Sequence, residues 1–387
     1  MVSVEPLQAC SWMLDPDVAY LNHGSFGARP TAVFEAQIAL KRAFEQAPMQ
    51  FLDREGKDRI QEAREVISGF LGCSADQLGF VENATTGVGS VINSQNFPRG
   101  SEILTTSHVY NGVRQLLKAA SIRNGWVTRE VDIPTPIRSS QEIVSTIRHA
   151  CTAETKMLVL DHVASITGIL FPVQELIAMC RELGILILID GAHAPGMVHL
   201  AIDTLNPDWY VGNLHKWVCG PPGAGFLWTN TKHLDSTRPL TISHFFEQGF
   251  LREFDWQGTR DITSILGASI AVQWGAALGW DRIRAHNHSF TVSTQRELVA
   301  TWKVEPLAPL DGSLLGSMAT VQLPVGFPND QALLDEIRAK VYDQFKIEIP
   351  FLLWQGRPHV RISGQIYNRI SDIERLKTAV FTLLRTF

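Results

Sequence analysis

Lys216 stands in the run Gly212-Asn213-Leu214-His215-Lys216-Trp217, downstream of Asp190-Gly191-Ala192-His193-Ala194. A lysine in a Gly-rich turn and an acid closing an apolar strand are what is needed to hold an aldehyde cofactor with a pyridine ring. The amine forms a Schiff base with the aldehyde and the carboxylate pairs with the ring nitrogen. Pyridoxal 5′-phosphate (PLP) is such a cofactor. Lys216 must spend time unprotonated to attack it, which requires burial or nearby cations to lower an ordinary lysine pKa. Asp190 keeps the ring nitrogen protonated, and Gly191 and Ala192 let a ring approach the backbone. His193 is placed to touch the ring or its phenolic oxygen, with Lys216 and Asp190 as its catalytic companions. Asn213 and His215 flank the lysine, and His215 is a donor for a phosphate.

The phosphate itself needs an anion site. Asn83-Ala84-Thr85-Thr86-Gly87-Val88 follows a short strand and opens a helix. Free backbone N–H groups, Thr85 and Thr86 hydroxyls and the helix dipole all favour an anion there. Plain N-capping by Thr85 is the local alternative. His108 and Tyr110 follow the Glu102 to Thr105 strand, and either ring could stack on the cofactor. Ser165 and Thr167, after the Lys156 to Asp161 strand, reach toward the same pocket. Gly258 and Thr259 precede a long helix and offer a hydroxyl and backbone to phosphate; locally, Asp261 reads as a cap. Arg361, between apolar residues in His359-Val360-Arg361-Ile362-Ser363, carries a planar fork suited to a substrate α-carboxylate. Asn22 and His23, in Asn22-His23-Gly24-Ser25-Phe26-Gly27, are candidates to cover the pocket near substrate.

These groups need a scaffold. From Leu78 onward strands and helices alternate, and Gly184 to Asp190 (GILILID) is apolar on both faces, which implies cover on both. The alternation predicts an α/β domain with a mostly parallel, seven-stranded-type sheet. Thr31 to Gln46, Arg54 to Phe70 and Val173 to Leu183 read as helices. A long helix from Thr263 to Asn287 is expected to lead into a smaller α+β domain. That domain has strands at Ala319 to Leu323, Ile347 to Ile349 and His359 to Ile362. The expected division is an N-terminal segment over 1–19, a large domain over 20–275 and a small one over 276–387. The segment is expected to pack on the small domain or on a partner subunit.

Composition narrows the class. The 387 residues are 45% hydrophobic and 19% charged with a net charge of −5, and no basic block offers a footprint for nucleic acid. No apolar run approaches the roughly 20 residues of a membrane span. The first ten residues do not read as a secretion signal. Five scattered cysteines fit reduced thiols in a cytoplasmic protein, and none has metal-ligand spacing, so no metal is expected.

Taken in order, these motifs resemble the class V aminotransferase family, PLP enzymes of fold type I, in the branch that contains isopenicillin N epimerase. The residues that carry the resemblance are Tyr20 through Gly27, Asn83-Ala84-Thr85-Thr86, His162 through Gly168, Asp190 through Gly196, His215-Lys216-Trp217, Gly258-Thr259-Arg260-Asp261 and Arg361-Ile362-Ser363. The resemblance implies Lys216 on the aldehyde, Asp190 on the ring nitrogen and Arg361 on the substrate carboxylate. It implies Thr85, Thr86 and His215 on the phosphate. It also implies a homodimer in which Gly258 and Thr259 of one subunit serve the other. Related cysteine desulfurases need a mobile cysteine before the Arg-Ile-Ser strand, and no cysteine follows Cys219 here. The expected substrate is an amino acid, or a small peptide with a free α-amino acid end. The expected chemistry is proton removal at Cα followed by epimerisation. C–S β-elimination from a cysteine derivative, transamination and a non-catalytic binding role are the alternatives.

Overall fold

The computed structural model describes residues 10–384. The part of the expected N-terminal segment before residue 10 lies outside the described residues. In chain order the strands are β1 (Ala19–Tyr20), β2 (Leu78–Val81), β3 (Glu102–Thr106), β4 (Val127–Val131), β5 (Thr155–Asp161) and β6 (Leu186–Gly191). They continue as β7 (Trp209–Asn213), β8 (Gly225–Thr229), β9 (Met318–Gln322), β10 (Ile347–Glu348), β11 (Phe351–Trp354) and β12 (Arg357–Ser363).

Seven of these strands form one sheet in the order β2-β8-β7-β6-β5-β3-β4. Neighbours are parallel except for β8, which runs against both β2 and β7. Strand side chains alternate between faces, and the central strands are apolar at every step. Leu158, Leu160, Ile187 and Ile189 therefore enter one core, while Met157, Val159 and Leu188 enter another on the opposite face. Helices cover both cores, as the apolar GILILID run implies. The helix Ala84–Asn93 lies on the second face, and the helices Gly56–Leu71 and Val173–Leu183 lie on the first.

The long helix expected from Thr263 to Asn287 is instead two. Thr263–Leu278 stops at Gly279, whose φ is 89°, and Trp280–Trp302 starts anew. The physical reason is the Trp280 side chain. Its Nε1 donates to the Val272 carbonyl at 3.1 Å, and its ring lies where a Cβ on Gly275 would come within 2.1 Å. The second helix runs from the main core at Ile283 to the C-terminal core at Phe290, Leu298 and Trp302.

The C-terminal core is covered by the antiparallel sheet β11-β12-β9 and by the helices Gln331–Phe345 and Ile370–Leu384. Strand β11 was not among the expected elements. It turns into β12 through Gln355 and Gly356, with φ of 47° and 71°, the positive values a tight hairpin needs. Strand β1 pairs in parallel with β10, Ala19 opposite Ile347 and Tyr20 opposite Glu348, which ties the start of the chain to the C-terminal unit. Among the described residues no helix is long and apolar enough to cross a membrane.

Candidate active site

In an open parallel sheet the carboxyl ends of the strands open toward ligand. β6 ends in Asp190 and Gly191, and β5 ends beside it in Asp161, the register partner of Asp190. Both carboxyls are buried and wall one cavity of about 730 Å³. Asp190 Oδ1 accepts the Ala192 N–H at 2.9 Å. Burial raises the pKa of Asp190; burial and the Asp190 charge together raise that of Asp161 well above the usual carboxylate range.

Lys216 enters the cavity from the connection between β7 and β8. That connection is closed by Leu214 N–H to Ala224 C=O (3.0 Å), Gly220 N–H to Leu214 C=O (2.9 Å) and Cys219 N–H to Lys216 C=O (2.9 Å). Because β8 is antiparallel to β7, the lysine sits on a clamped hairpin and not on a crossover. Burial and the Arg361 charge lower its pKa to about 8, against the opposing pull of Asp190 and Asp161. Lys216 Nζ lies 3.0 Å from His193 Nε2. Trp217 Nε1 donates to His193 Nδ1 at 3.4 Å, so a neutral His193 carries its proton on Nε2 and points it at the amine. Burial and the Lys216 charge push the His193 pKa well down, which keeps the ring neutral.

The helix Ala84–Asn93 begins at the same cavity. Its cap is Asn83, not Thr85: Asn83 Oδ1 accepts the Thr86 N–H at 2.9 Å. Asn213 Oδ1 takes the Ala84 N–H at 2.8 Å. Thr85, Thr86 and His215 complete this end of the wall. His215 Nδ1 is buried and has no hydrogen-bond partner among the described residues. A buried imidazole nitrogen with nothing to bond fits a phosphate oxygen beside a helix start. The donor set therefore fits PLP: Asp190 for a ring nitrogen, Lys216 for an aldehyde, and Thr85, Thr86 and His215 for a phosphate.

The opposite end is closed by residues from three distant parts of the chain. Arg361 on β12 is buried; its Nη2 donates to Ser25 Oγ at 2.7 Å and to Asn22 Oδ1 at 3.2 Å, and its Nη1 donates to the Ser165 carbonyl. Ser25 and Ser165 wall the cavity, so the guanidinium stands directly behind them. Arg361 Nε has no partner among the described residues.

The structure separates some of the expected site residues from this cavity. Tyr110 walls it, with its ring about half exposed at 47%. His108 does not: its ring is buried between Thr167 Oγ1 (2.9 Å) and the Ile133 carbonyl (3.2 Å), against Trp354. Of the two aromatic candidates, Tyr110 is the one that walls the cavity. His23 is turned away as well, toward Tyr367 and the Lys216 carbonyl. Gly258 walls a different cavity of about 680 Å³, and Thr259 does not wall the Lys216 cavity. Asp161 was not anticipated as a site residue, although it ends a buried apolar strand just as Asp190 does.

A family model, Aminotransferase class-V, matches residues 30–376. An isopenicillin N epimerase of Amycolatopsis lactamdurans is 32% identical over 386 residues, spanning 95% of each chain. A probable chloroplastic L-cysteine desulfhydrase of Arabidopsis thaliana is 30% identical over 405 residues, spanning 96% of this chain and 84% of the relative. Among solved structures, an apo cysteine desulfurase from Thermococcus onnurineus NA1 superposes with a TM-score of 0.81 at 18% identity, covering 100% of this chain and 99% of that one. The cystine C–S lyase C-DES in complex with cysteine persulfide does so with a TM-score of 0.79 at 19% identity, over 94% and 97%. At these identities the superpositions speak for the fold, which is fold type I of the PLP-dependent enzymes. The Lys216 hairpin, the Asp190 strand end and the helix start at Ala84 lie within the matched span, and the chain belongs to the class V aminotransferase family.

Proposed function

We propose that this chain is a PLP-dependent enzyme that removes the Cα proton of an amino acid and returns it on the other face, an epimerase or racemase of the isopenicillin N epimerase type. Pyridoxal 5′-phosphate is its cofactor. When bound, it supplies a carbonyl for amines and a conjugated ring that spreads the charge left at Cα. The observation that carries the reading is Lys216: a buried amine with its pKa lowered to about 8, next to His193 at 3.0 Å. Such an amine accepts a proton near neutrality, where an ordinary lysine cannot.

The walls of the cavity support roles for the other residues. Asp190 would pair with the ring nitrogen and hold its proton. Ala192 would allow close approach of the ring, and Tyr110 would cover it. Ala84, Thr85, Thr86, Asn213 and His215 hold the phosphate end, with Gly258 and Thr259 joining it from a second subunit in a homodimer. Arg361 takes the substrate carboxylate, giving up its bond to Ser25 Oγ, while Asn22 steadies the guanidinium. Inversion needs a second proton donor on the face away from Lys216. Tyr110 serves there, since His23 points elsewhere.

A second reading is C–S β-elimination from a cysteine derivative. It is favoured by the state of the neighbouring rings: His193 and His215 are both pushed down by burial, His215 to about 4, which leaves Lys216 as the working base. Elimination needs only one base. The name of the Arabidopsis relative points the same way. Product analysis with a panel of L-amino acids in deuterated water separates the readings. Cα deuteration with inversion supports epimerisation. Pyruvate and sulfide release supports the lyase, and a keto acid with pyridoxamine phosphate supports transamination.

A further inference from the structure

His23 lies at a junction of three parts of the chain and is fully buried. It comes from the turn after β1. Tyr367 and Gln365 reach it from the segment after β12, and Lys216, Trp217 and Cys219 reach it from the lysine hairpin.

The proton on this ring can be placed. The Ala28 N–H can only donate, and it approaches His23 Nδ1 at 3.3 Å, so Nδ1 is an acceptor. The Tyr367 hydroxyl, 2.9 Å from the same nitrogen, donates to it too. The proton of the neutral ring is then on Nε2, which donates to the Lys216 carbonyl at 3.1 Å. Gln365 Nε2 and Cys219 Sγ lie 3.3 and 3.8 Å from Nε2, and no carboxylate faces the ring in these contacts. With the Ala28 N–H and the Tyr367 hydroxyl both directed at Nδ1, an imidazolium is disfavoured, and burial lowers the pKa to about 4.

The contact falls on the peptide that carries the base. The Lys216 carbonyl also accepts the Cys219 N–H at 2.9 Å, so one donor is local and the other comes from across the structure. Gly27 presses on the same peptide: a Cβ there would lie 2.4 Å from the His215 carbonyl oxygen and 2.5 Å from that of Lys216.

We propose that His23 is a positioning residue: held by Tyr367, it fixes the main chain of Lys216 and couples the C-terminal unit to the placement of the amine. This rests on the reading that Lys216 carries the cofactor. It does not depend on whether the reaction is epimerisation or elimination.

The test uses the holoprotein, first without substrate. The absorption of the lysine-bound cofactor is titrated with pH in wild type, His23→Leu, His23→Gln and Tyr367→Phe, with Tm measured on each. In His23→Leu the titration midpoint is expected to move by about half a unit. Its kcat is expected to fall roughly ten- to a hundredfold with KM little changed, as small misplacements of a reacting group do. His23→Gln, whose amide N–H can reach the Lys216 carbonyl, is expected to restore most of both. Tyr367→Phe is expected to shift the midpoint in the same direction as His23→Leu, by less. A wild-type midpoint in His23→Leu overturns the inference, as does a His23→Gln variant no better than His23→Leu at equal Tm. If His23→Leu does not fold, an unmoved midpoint in Tyr367→Phe overturns it. Absence of a borohydride-fixed adduct at Lys216 in wild type would instead overturn the site reading, and this inference with it.

Discussion

Lys216 Nζ and His193 Nε2 are 3.0 Å apart, and Trp217, by donating to the far nitrogen of the imidazole, decides which of the two atoms holds the proton between them. A histidine that points an N–H at an amine stabilises the amine as a free base. Burial of Lys216 works in the same direction.

The first prediction concerns uptake of PLP by cofactor-free protein. Only the free base attacks the aldehyde. With the Lys216 pKa lowered to about 8, the second-order rate of uptake is expected to rise with pH and level off above about 8, where an unperturbed lysine would keep rising toward 10.5. Stopped-flow absorbance measures this. Lys216→Ala should show no Schiff-base absorption at any pH.

Acid stability follows from the buried histidines. His23, His108, His162 and His215 are each lowered to about 4, chiefly by burial, from the ordinary histidine value of 6.5. The unfolded chain therefore binds more protons than the folded one between those values. Their contribution is complete above 6.5 and is lost as pH falls toward 4. At pH 5.5 each costs on the order of 1 kcal/mol. Asp161 and Asp190, with raised pKa values, act in the opposite sense. Where the histidines set the slope, Tm of the cofactor-free protein is expected to drop from pH 7 to 5. A scanning-calorimetry series with a flat or rising Tm over that range would contradict this.

Arg361→Lys is the informative change at the substrate end. Lysine keeps the charge but loses the planar fork and the bonds to Ser25, Asn22 and Ser165. KM for the amino acid is expected to rise about tenfold or more. The absorption of the resting cofactor should stay close to wild type. Steady-state kinetics with matched spectra distinguish this from general damage.

Gly27→Ala tests the contact between the covering turn and the lysine hairpin. The atoms that meet the added methyl are backbone atoms of His215 and Lys216, so no side chain can simply rotate away. A cost of about 1–3 kcal/mol is expected. Gly69→Ala, inside the helix Gly56–Leu71 where a methyl meets nothing within 4 Å, is the control and should leave Tm unchanged or slightly raised.

Much of the scaffold is legible in the chain. Thr31–Gln46 and Val173–Leu183 end where their apolar periodicity ends, and the Asp190 strand announces itself by being apolar at every step. The same signal was present at Asp161 and pointed to a second buried carboxyl. What could not be read is what depends on distant partners. Nothing near His23 indicates that its ring will meet Tyr367 and Lys216, and nothing near Arg361 names Ser25. The helix break at Gly279 depends on a tryptophan folding back, which a periodicity count passes over. β11 is a short apolar run whose identity comes from the hairpin it forms with β12.

The pairing of β1 with β10 bears on how the enzyme is made. The stretch that holds Asn22, His23 and Ser25 leaves the ribosome early, yet its anchors on β10 and β12 emerge more than three hundred residues later. At typical elongation speeds of about 5–20 residues per second, that is a wait of tens of seconds. During it the sheet can assemble while the front of the pocket stays unfinished. Truncated nascent chains that stop before Ile347 should thus contain the lysine hairpin but lack the wall that encloses it.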